Sequence, residues 1–502
     1  METQRHSWPV AATLGAVCLG YAVVGLVAIQ PATLLGWDEV VYVSQYDPRR
    51  PAAYFSAPRA RGVSLLAAPI VLATGSVVAL RCFLALAAAL AMFAAFWPWA
   101  RLLPTPWAAP LAALGYAGLW VSLFYTAAAM PNHYLAMAAV AAVGWFLVAT
   151  RVPVTGRGVR PLLWLAVALA LAGLTRPSDT FWLGVALLTA MAIVPAWRQT
   201  SLAVALCCGL AAGAVPWVVE SYLAFGGLGQ RLERASEIQG GTGLTFSLRQ
   251  VASTLDGPLL CRPCVSGELH WPALLWWLAL PPLAAVGVVR AGRAGRAAVG
   301  WLPLAVAASL AVTYLFLIDY SAPRFLLPTY ALLFLPTALG ALALVRAGRP
   351  RARPVLAVAL AVGVTGHLAI QGVILWHWAD THIGIRRSYA TVAAFLADKG
   401  VRPPCVLTGA EAIPIAYHAG CMSAAPAGHN ATHTHAQLRA LTCRRPAALL
   451  TEGEAPPQWA QDWDNYTVSD RMPGKDWRVH IPPWTPAAGD GSTPCPVTEP
   501  GS

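Results

Sequence analysis

Long apolar runs separated by short polar links dominate the chain. They cover 10–29, 77–99, 107–128, 134–150, 160–176, 180–197, 201–223, 271–289, 298–318, 325–345 and 355–376. Each is close to the roughly 17–25 residues that a helix needs to cross a bilayer, so the pattern predicts about eleven membrane-spanning helices. A shorter apolar segment at 62–75 predicts a helix lying at the interface. The run from Val10 to Ile29 has no small-residue cleavage site after it and reads as a retained first span. After residue 377 the pattern turns polar, with short alternating runs at 405–408, 447–451 and 477–481 and an amphipathic stretch at 390–399. The expected fold class is therefore an all-α polytopic membrane domain over 1–376, with long loops at 30–76 and 224–270. A small C-terminal α/β domain follows at 377–481. The Pro-, Gly-, Ser- and Thr-rich end, 482–502, predicts a disordered tail.

Composition agrees. Of the 502 residues, 57% are hydrophobic and 11% charged, against about 25% charged in a soluble domain. The net charge of +12 does not indicate nucleic-acid binding, because it is almost all arginine and much of it sits in links between spans. Arg5, Arg101, Arg151/Arg157/Arg160, Arg198, Arg290/Arg293/Arg296 and Arg346/Arg349/Arg351/Arg353 all fall on one side of the predicted topology. That side is cytoplasmic by the positive-inside tendency. The N-terminus is then cytoplasmic, and the loops 30–76 and 224–270 and the C-terminal domain are extracytoplasmic.

Six cysteines fall on the extracytoplasmic side: Cys261, Cys264, Cys405, Cys421, Cys443 and Cys495. An even number on an oxidising face predicts disulfides. Cys261-Arg-Pro-Cys264 reads as a local disulfide, a free pair or half of a metal site, and no second CxxC completes a zinc site. His429, His433 and His435 read as an exposed loop or as metal ligands.

The chemistry concentrates where charge is scarce. Trp37-Asp38-Glu39 follows the first span. Ionisable groups near the bilayer default to functional hypotheses, although an acidic pair also suits a helix N-terminus. Arg81, Arg176 and Arg324 sit at extracytoplasmic span ends, against the charge rule, and Arg59 stands in the first loop. Lipid head-group anchoring would explain them; so would phosphate binding, because guanidinium matches phosphate oxygens bidentately. Asp179 and Asp319 accompany the last two of these span ends, and Asn132 and His133 open another span, either as caps or as substrate contacts. The 224–270 loop, with an amphipathic stretch at 230–237, reads as a lid or as a packed loop.

These motifs carry a family resemblance. The chain is similar in layout to the GT-C class of polyprenyl-phosphate-dependent glycosyltransferases, including protein O-mannosyltransferases and lipid A aminoarabinose transferases. The matching residues are Trp37-Asp38-Glu39 in the first loop, Leu174-Thr175-Arg176-Pro177 after the fifth span, and Pro323-Arg324-Phe325-Leu326-Leu327-Pro328 opening a late span. Two departures stand out. Met130-Pro131-Asn132-His133-Tyr134 lacks the acid that many relatives carry there. The Lys-Pro-Pro segment that often follows the acidic pair in relatives is missing, and Ala57-Pro58-Arg59-Ala60-Arg61 stands nearby as a partial substitute. The resemblance implies inverting sugar transfer from a polyprenyl-phosphate donor to an acceptor hydroxyl. Asp38 would be the base, Glu39 would orient the acceptor or help hold a divalent metal, and Arg176 and Arg324 would carry the phosphate. A transporter or flippase of lipid-linked sugars is the alternative, with a non-catalytic cell-envelope protein as a third. A transporter favours mid-span charges and repeated halves, and this chain has neither pattern.

Overall fold

A computed structural model of the chain describes residues 7–151, 159–264, 267–428, 430–468 and 477–483. Arg5, Arg157, His429, Cys495 and residues 484–502 of the expected tail lie outside the described residues. Packing divides the chain into two compact units. The first is Met1–Ile29, Ala57–Val63 and Arg81–Ala379; the second is Gln30–Ser56, Ser64–Leu80 and Asp380–Ser502. The first loop, read from the sequence with the spans, therefore groups largely with the C-terminal residues.

Unit 1 is a helical bundle. Among the described residues, eight helices are long and apolar enough to cross a membrane. Shorter apolar helices run over Ala108–Ala117, Val159–Thr175 and Pro177–Ile193, while Gly62–Ala73 falls almost wholly in unit 2. Many of these helices leave large apolar side chains exposed, such as Leu19, Leu86, Leu171, Leu275 and Val358. Water would penalise such surfaces and a hydrocarbon solvent would not, so the chain is a multi-pass membrane protein. Small residues let helix backbones approach closely. A Cβ at Gly340 would overlap the Leu283 carbonyl, which fastens helix Leu327–Ala347 onto helix Trp271–Arg293.

Three expected spans differ in detail. The 107–128 run is not one helix: Ala108–Ala117 stops at Gly118, and Trp120–Phe124 restarts after an extended Leu119. Backbone groups exposed by such a break need partners inside the protein, and the Gln371 side chain accepts the Trp120 amide at 2.9 Å. The 355–376 run continues without a break, as a helix over Arg353–Asp398, and absorbs the amphipathic stretch expected at 390–399. The 298–318 run loosens into a π-helical stretch at Thr313–Leu317.

In unit 2, five strands form one sheet in the order β2-β1-β3-β5-β4: β1 Val406–Gly409, β2 Met422–Ser423, β3 Ala447–Glu452, β4 Asp464–Val468 and β5 Trp477–Ile481. β1 pairs parallel with β2 and β3, while β5 pairs antiparallel with β3 and β4. Side chains alternate between faces along a strand. Leu407, Ala448 and Leu450 pack with helix Ala412–Ala419, and Val406 and Ala447 pack with Leu438 of helix His435–Thr442. The two crossover helices thus cover opposite faces of the sheet. Cys405 and Cys421 form a disulfide, and so do Cys261 and Cys264 in unit 1. Cys443 is disulfide-bonded as well.

Candidate active site

Arg176 stands where one helix hands over to the next. Proline disfavours the helical conformation in the residue before it, so Pro177 ends helix Val159–Thr175 and leaves Arg176 extended as the N-cap of helix Pro177–Ile193. Asp179 falls in the first turn of that helix, where an acid suits the dipole. It pairs with Arg176 Nε at 2.6 Å and accepts from the Tyr314 hydroxyl at 2.6 Å. Tyr314 comes from the π-helical stretch, a form frequent at functional sites.

Arg324 occupies a 3₁₀ turn at Pro323–Leu326, immediately before helix Leu327–Ala347. Its guanidinium donates to the Leu259 carbonyl at 2.9 Å and to the Tyr125 hydroxyl at 3.3 Å. Asn132 donates to the Arg324 carbonyl at 3.1 Å. Both guanidinium groups lie against one ring: the Arg176 and Arg324 carbons are 5.6 and 5.3 Å from the Phe325 centroid. The structure thus gathers Arg176, Arg324, Asp179 and Asn132 into one cluster within unit 1. Phe325 of the late-span motif joins them, as do Tyr125 and Tyr314, which the sequence had not singled out. Asp319 is exposed.

The 224–270 loop is packed against unit 1. Gly243, Thr245 and Ser247 donate their amides to Leu317, Phe316 and Leu315, carbonyls of the π-helical stretch. Cys261 pairs with Ser321 as a β-bridge. Between the lid and the packed loop, this geometry favours the packed loop. Arg59 is half-buried, and its carbonyl accepts from the buried Arg231. Arg81 is 1% exposed and donates to the Ala127 carbonyl at 3.2 Å. His133 is buried with Nδ1 at 3.0 Å from both the Tyr21 and Tyr116 hydroxyls, and Nε2 at 3.0 Å from the Ala88 carbonyl. It ties spans together.

In unit 2, Gly36 caps helix Trp37–Val43. Asp38 is half-buried on its first turn. Glu39 is 3% exposed; its Oε2 accepts the Gly36 amide at 3.0 Å and pairs with Arg386 at 3.1 Å. Glu39 is thereby engaged in holding the helix that carries Asp38. Arg386 was missed, although the signal that exposed Arg176, arginine on the side that should lack it, was present there too. Among the described residues no group of three or more His, Cys, Asp or Glu is arranged to hold a metal ion.

Further contacts fasten this loop. Tyr417 donates to Asp47 at 2.8 Å, and Arg49 pairs with Asp47 at 2.8 Å. Burial pushes the Asp47 carboxyl up, but the Tyr417 hydroxyl and the Arg49 amide and guanidinium outweigh it and hold the group below its ordinary value. His418 Nε2 meets the Leu35 carbonyl at 3.1 Å, and burial pushes its pKa down to about 4. Because the folded value lies below the unfolded one, the unfolded chain takes the proton first as pH falls below about 6.5. Stability contributed by neutral His418 is present above that pH and is lost between there and about 4. The protection of helix Ala412–Ala419 in the intact protein, exchange being taken relative to the intrinsic rate at each pH, is expected to fall from pH 7 to pH 5. His418→Gln, which keeps a donor and cannot titrate, is expected to flatten that response; an equal response would refute the assignment.

No family model matches the sequence, and no curated protein matches it. Solved structures do. ArnT from Cupriavidus metallidurans bound to undecaprenyl phosphate is 14% identical with a TM-score of 0.63, the match covering 94% of this chain and 98% of that one. Its apo state is 15% identical with a TM-score of 0.61, covering 93% and 96%. The apo oligosaccharyltransferase of Archaeoglobus fulgidus is 13% identical with a TM-score of 0.51, covering 87% and 69%. At these identities the likeness is one of fold, and it runs through nearly the whole chain: the protein has the fold of the GT-C glycosyltransferases.

Proposed function

We propose that the protein is an inverting glycosyltransferase that moves a sugar from a polyprenyl-phosphate donor to an acceptor hydroxyl on the extracytoplasmic face of the membrane. The observation that carries this reading is the pair of guanidinium groups, Arg176 and Arg324, placed on one Phe325 ring at the ends of apolar helices. Arginines at these span ends run against the positive-inside tendency. Here each already has a carboxylate or carbonyl partner that orients it. Preorganised cations stabilise charge best where water is scarce.

The reaction forms a bond from the acceptor oxygen to the anomeric carbon and breaks the bond from that carbon to the phosphate oxygen. Arg176 and Arg324 carry the charge of the departing polyprenyl phosphate. The proton leaves the acceptor hydroxyl for Asp38, as general-base catalysis requires. Glu39 and Arg386 position the helix that bears Asp38. One displacement without a covalent intermediate inverts the anomeric centre.

The test is retention of labelled polyprenyl-phosphate sugars by the purified protein, with release of the free polyprenyl phosphate as the second readout. Arg324→Lys keeps the charge but loses the fork geometry. We expect it to weaken donor retention by about tenfold, in line with the loss of one charge-assisted hydrogen bond. Failure of every donor in the panel to bind would refute the reading.

A further inference from the structure

In unit 2 a cavity of about 540 Å³ opens beside Trp37 and is lined by Gly409, Glu411, Thr451, Glu452 and Glu454, among others. Its place follows from the topology of the sheet. The chain leaves β1 through helix Ala412–Ala419 to reach β2 on one side. It leaves β2 through helix His435–Thr442 to reach β3 on the other side of β1. With the two helices on opposite faces, the carboxyl ends of β1 and β3 flank a topological switch point. In open α/β sheets that crevice is where ligands bind. Gly409 at the end of β1 has φ +94°, and a Cβ there would overlap the Leu450 carbonyl, so the floor of the crevice is backbone.

The lining states what would fit. Trp37 offers a flat apolar face, half-buried, and is the chain neighbour of Asp38. Glu411 is held by the Tyr389 hydroxyl at 2.7 Å, and Glu452 and Glu454 stand exposed on the other wall. An aromatic face with hydrogen-bond acceptors around it suits a pyranose, whose C–H face stacks on the ring while its hydroxyls donate outward. Three carboxylates in one crevice disfavour an anionic ligand. We propose that this crevice is the acceptor subsite, and that it takes a neutral or amino-bearing carbohydrate.

The assignment rests on the transferase reading above and deepens it by naming the acceptor class. Its test does not require turnover. The full-length protein in phospholipid nanodiscs is probed by saturation-transfer NMR with methyl mannoside, methyl glucosaminide and methyl glucuronide. The first two are expected to receive saturation and the glucuronide to receive little at pH 7. Trp37→Leu is expected to cut the signal about tenfold, as loss of a stacked ring would. Glu452→Gln with Glu454→Gln is expected to relax the discrimination against the glucuronide. Absence of transfer to the two favoured sugars, or a signal that both sets of substitutions leave unchanged, overturns the crevice. Donor retention by the same nanodiscs is measured alongside. If it persists while sugar binding is absent, the transferase reading stands and only the acceptor assignment falls. If donor retention is missing, the transferase reading itself falls.

Discussion

Asp38→Asn is expected to lower sugar transfer by about 10²–10⁴-fold, the usual worth of a general base, while the protein folds and retains its donor. The substitution keeps the size of the side chain while removing its charge and basicity, and asparagine also suits the start of a helix, so a half-buried first-turn position should accept it. The adjacent acid gives an internal contrast. Glu39 is buried, caps Gly36 and pairs with Arg386. Glu39→Gln would take one carboxylate from a largely buried guanidinium and weaken the cap on Gly36, and should lower stability together with rate. The measurement is label passing from a polyprenyl-phosphate sugar to the cell-envelope fraction, read beside thermal unfolding for each variant. A D38N protein that transfers within a few-fold of the unsubstituted one would remove Asp38 from the chemistry. One that unfolds as readily as E39Q would mean that the two acids share a purely structural role.

What could be read in advance follows the strength of the physical signal. Spans were legible because a run of apolar residues has few alternatives, and Arg176 and Arg324 because a charge at such a place is expensive. The break at Gly118 was not legible, since its justification is Gln371, far away in sequence. Nor was the π-helical stretch, whose exposed carbonyls are satisfied by the 243–247 segment. Tyr314 and Tyr125 look like ordinary apolar-run aromatics until Asp179 and Arg324 are found beside them. Strands β1, β3 and β5 showed in their β-rich runs. β4, exposed and polar over Asp464–Val468, did not. Counting cysteines predicted disulfides on that side of the membrane, but the pairing of Cys405 with Cys421 needed β1 and β2 to be neighbours. His133 shows the same limit: its position at a span end left a cap and a substrate contact open, and only three-dimensional packing supplies the two tyrosine hydroxyls beside it.

Arg231→Leu is expected to cost roughly 3–5 kcal/mol of stability, the usual price of breaking a buried ion pair by removing one partner. Arg231 is 0% exposed. It donates to the carbonyls of Ala57 at 3.0 Å, Arg59 at 3.0 Å and Trp217 at 2.7 Å, and to the Glu220 carboxylate at 2.9 Å. The Trp217 and Phe225 rings flank it at 4.3 and 4.4 Å. Glu220 is shared with Arg61, 2.7 Å away. Leucine would fill part of the volume and remove the donor that the Ala57, Arg59 and Trp217 carbonyls and the Glu220 carboxylate share. Arg231→Lys should fall between the two, because a single ammonium cannot reach four acceptors spread across a guanidinium fork. Apparent melting of the detergent-purified variants orders them. The loss should also reach function, because the same guanidinium anchors the 57–61 segment that holds Arg59. A leucine variant that melts with the parent protein would mean that this hub contributes nothing, and that another contact secures the 224–238 stretch.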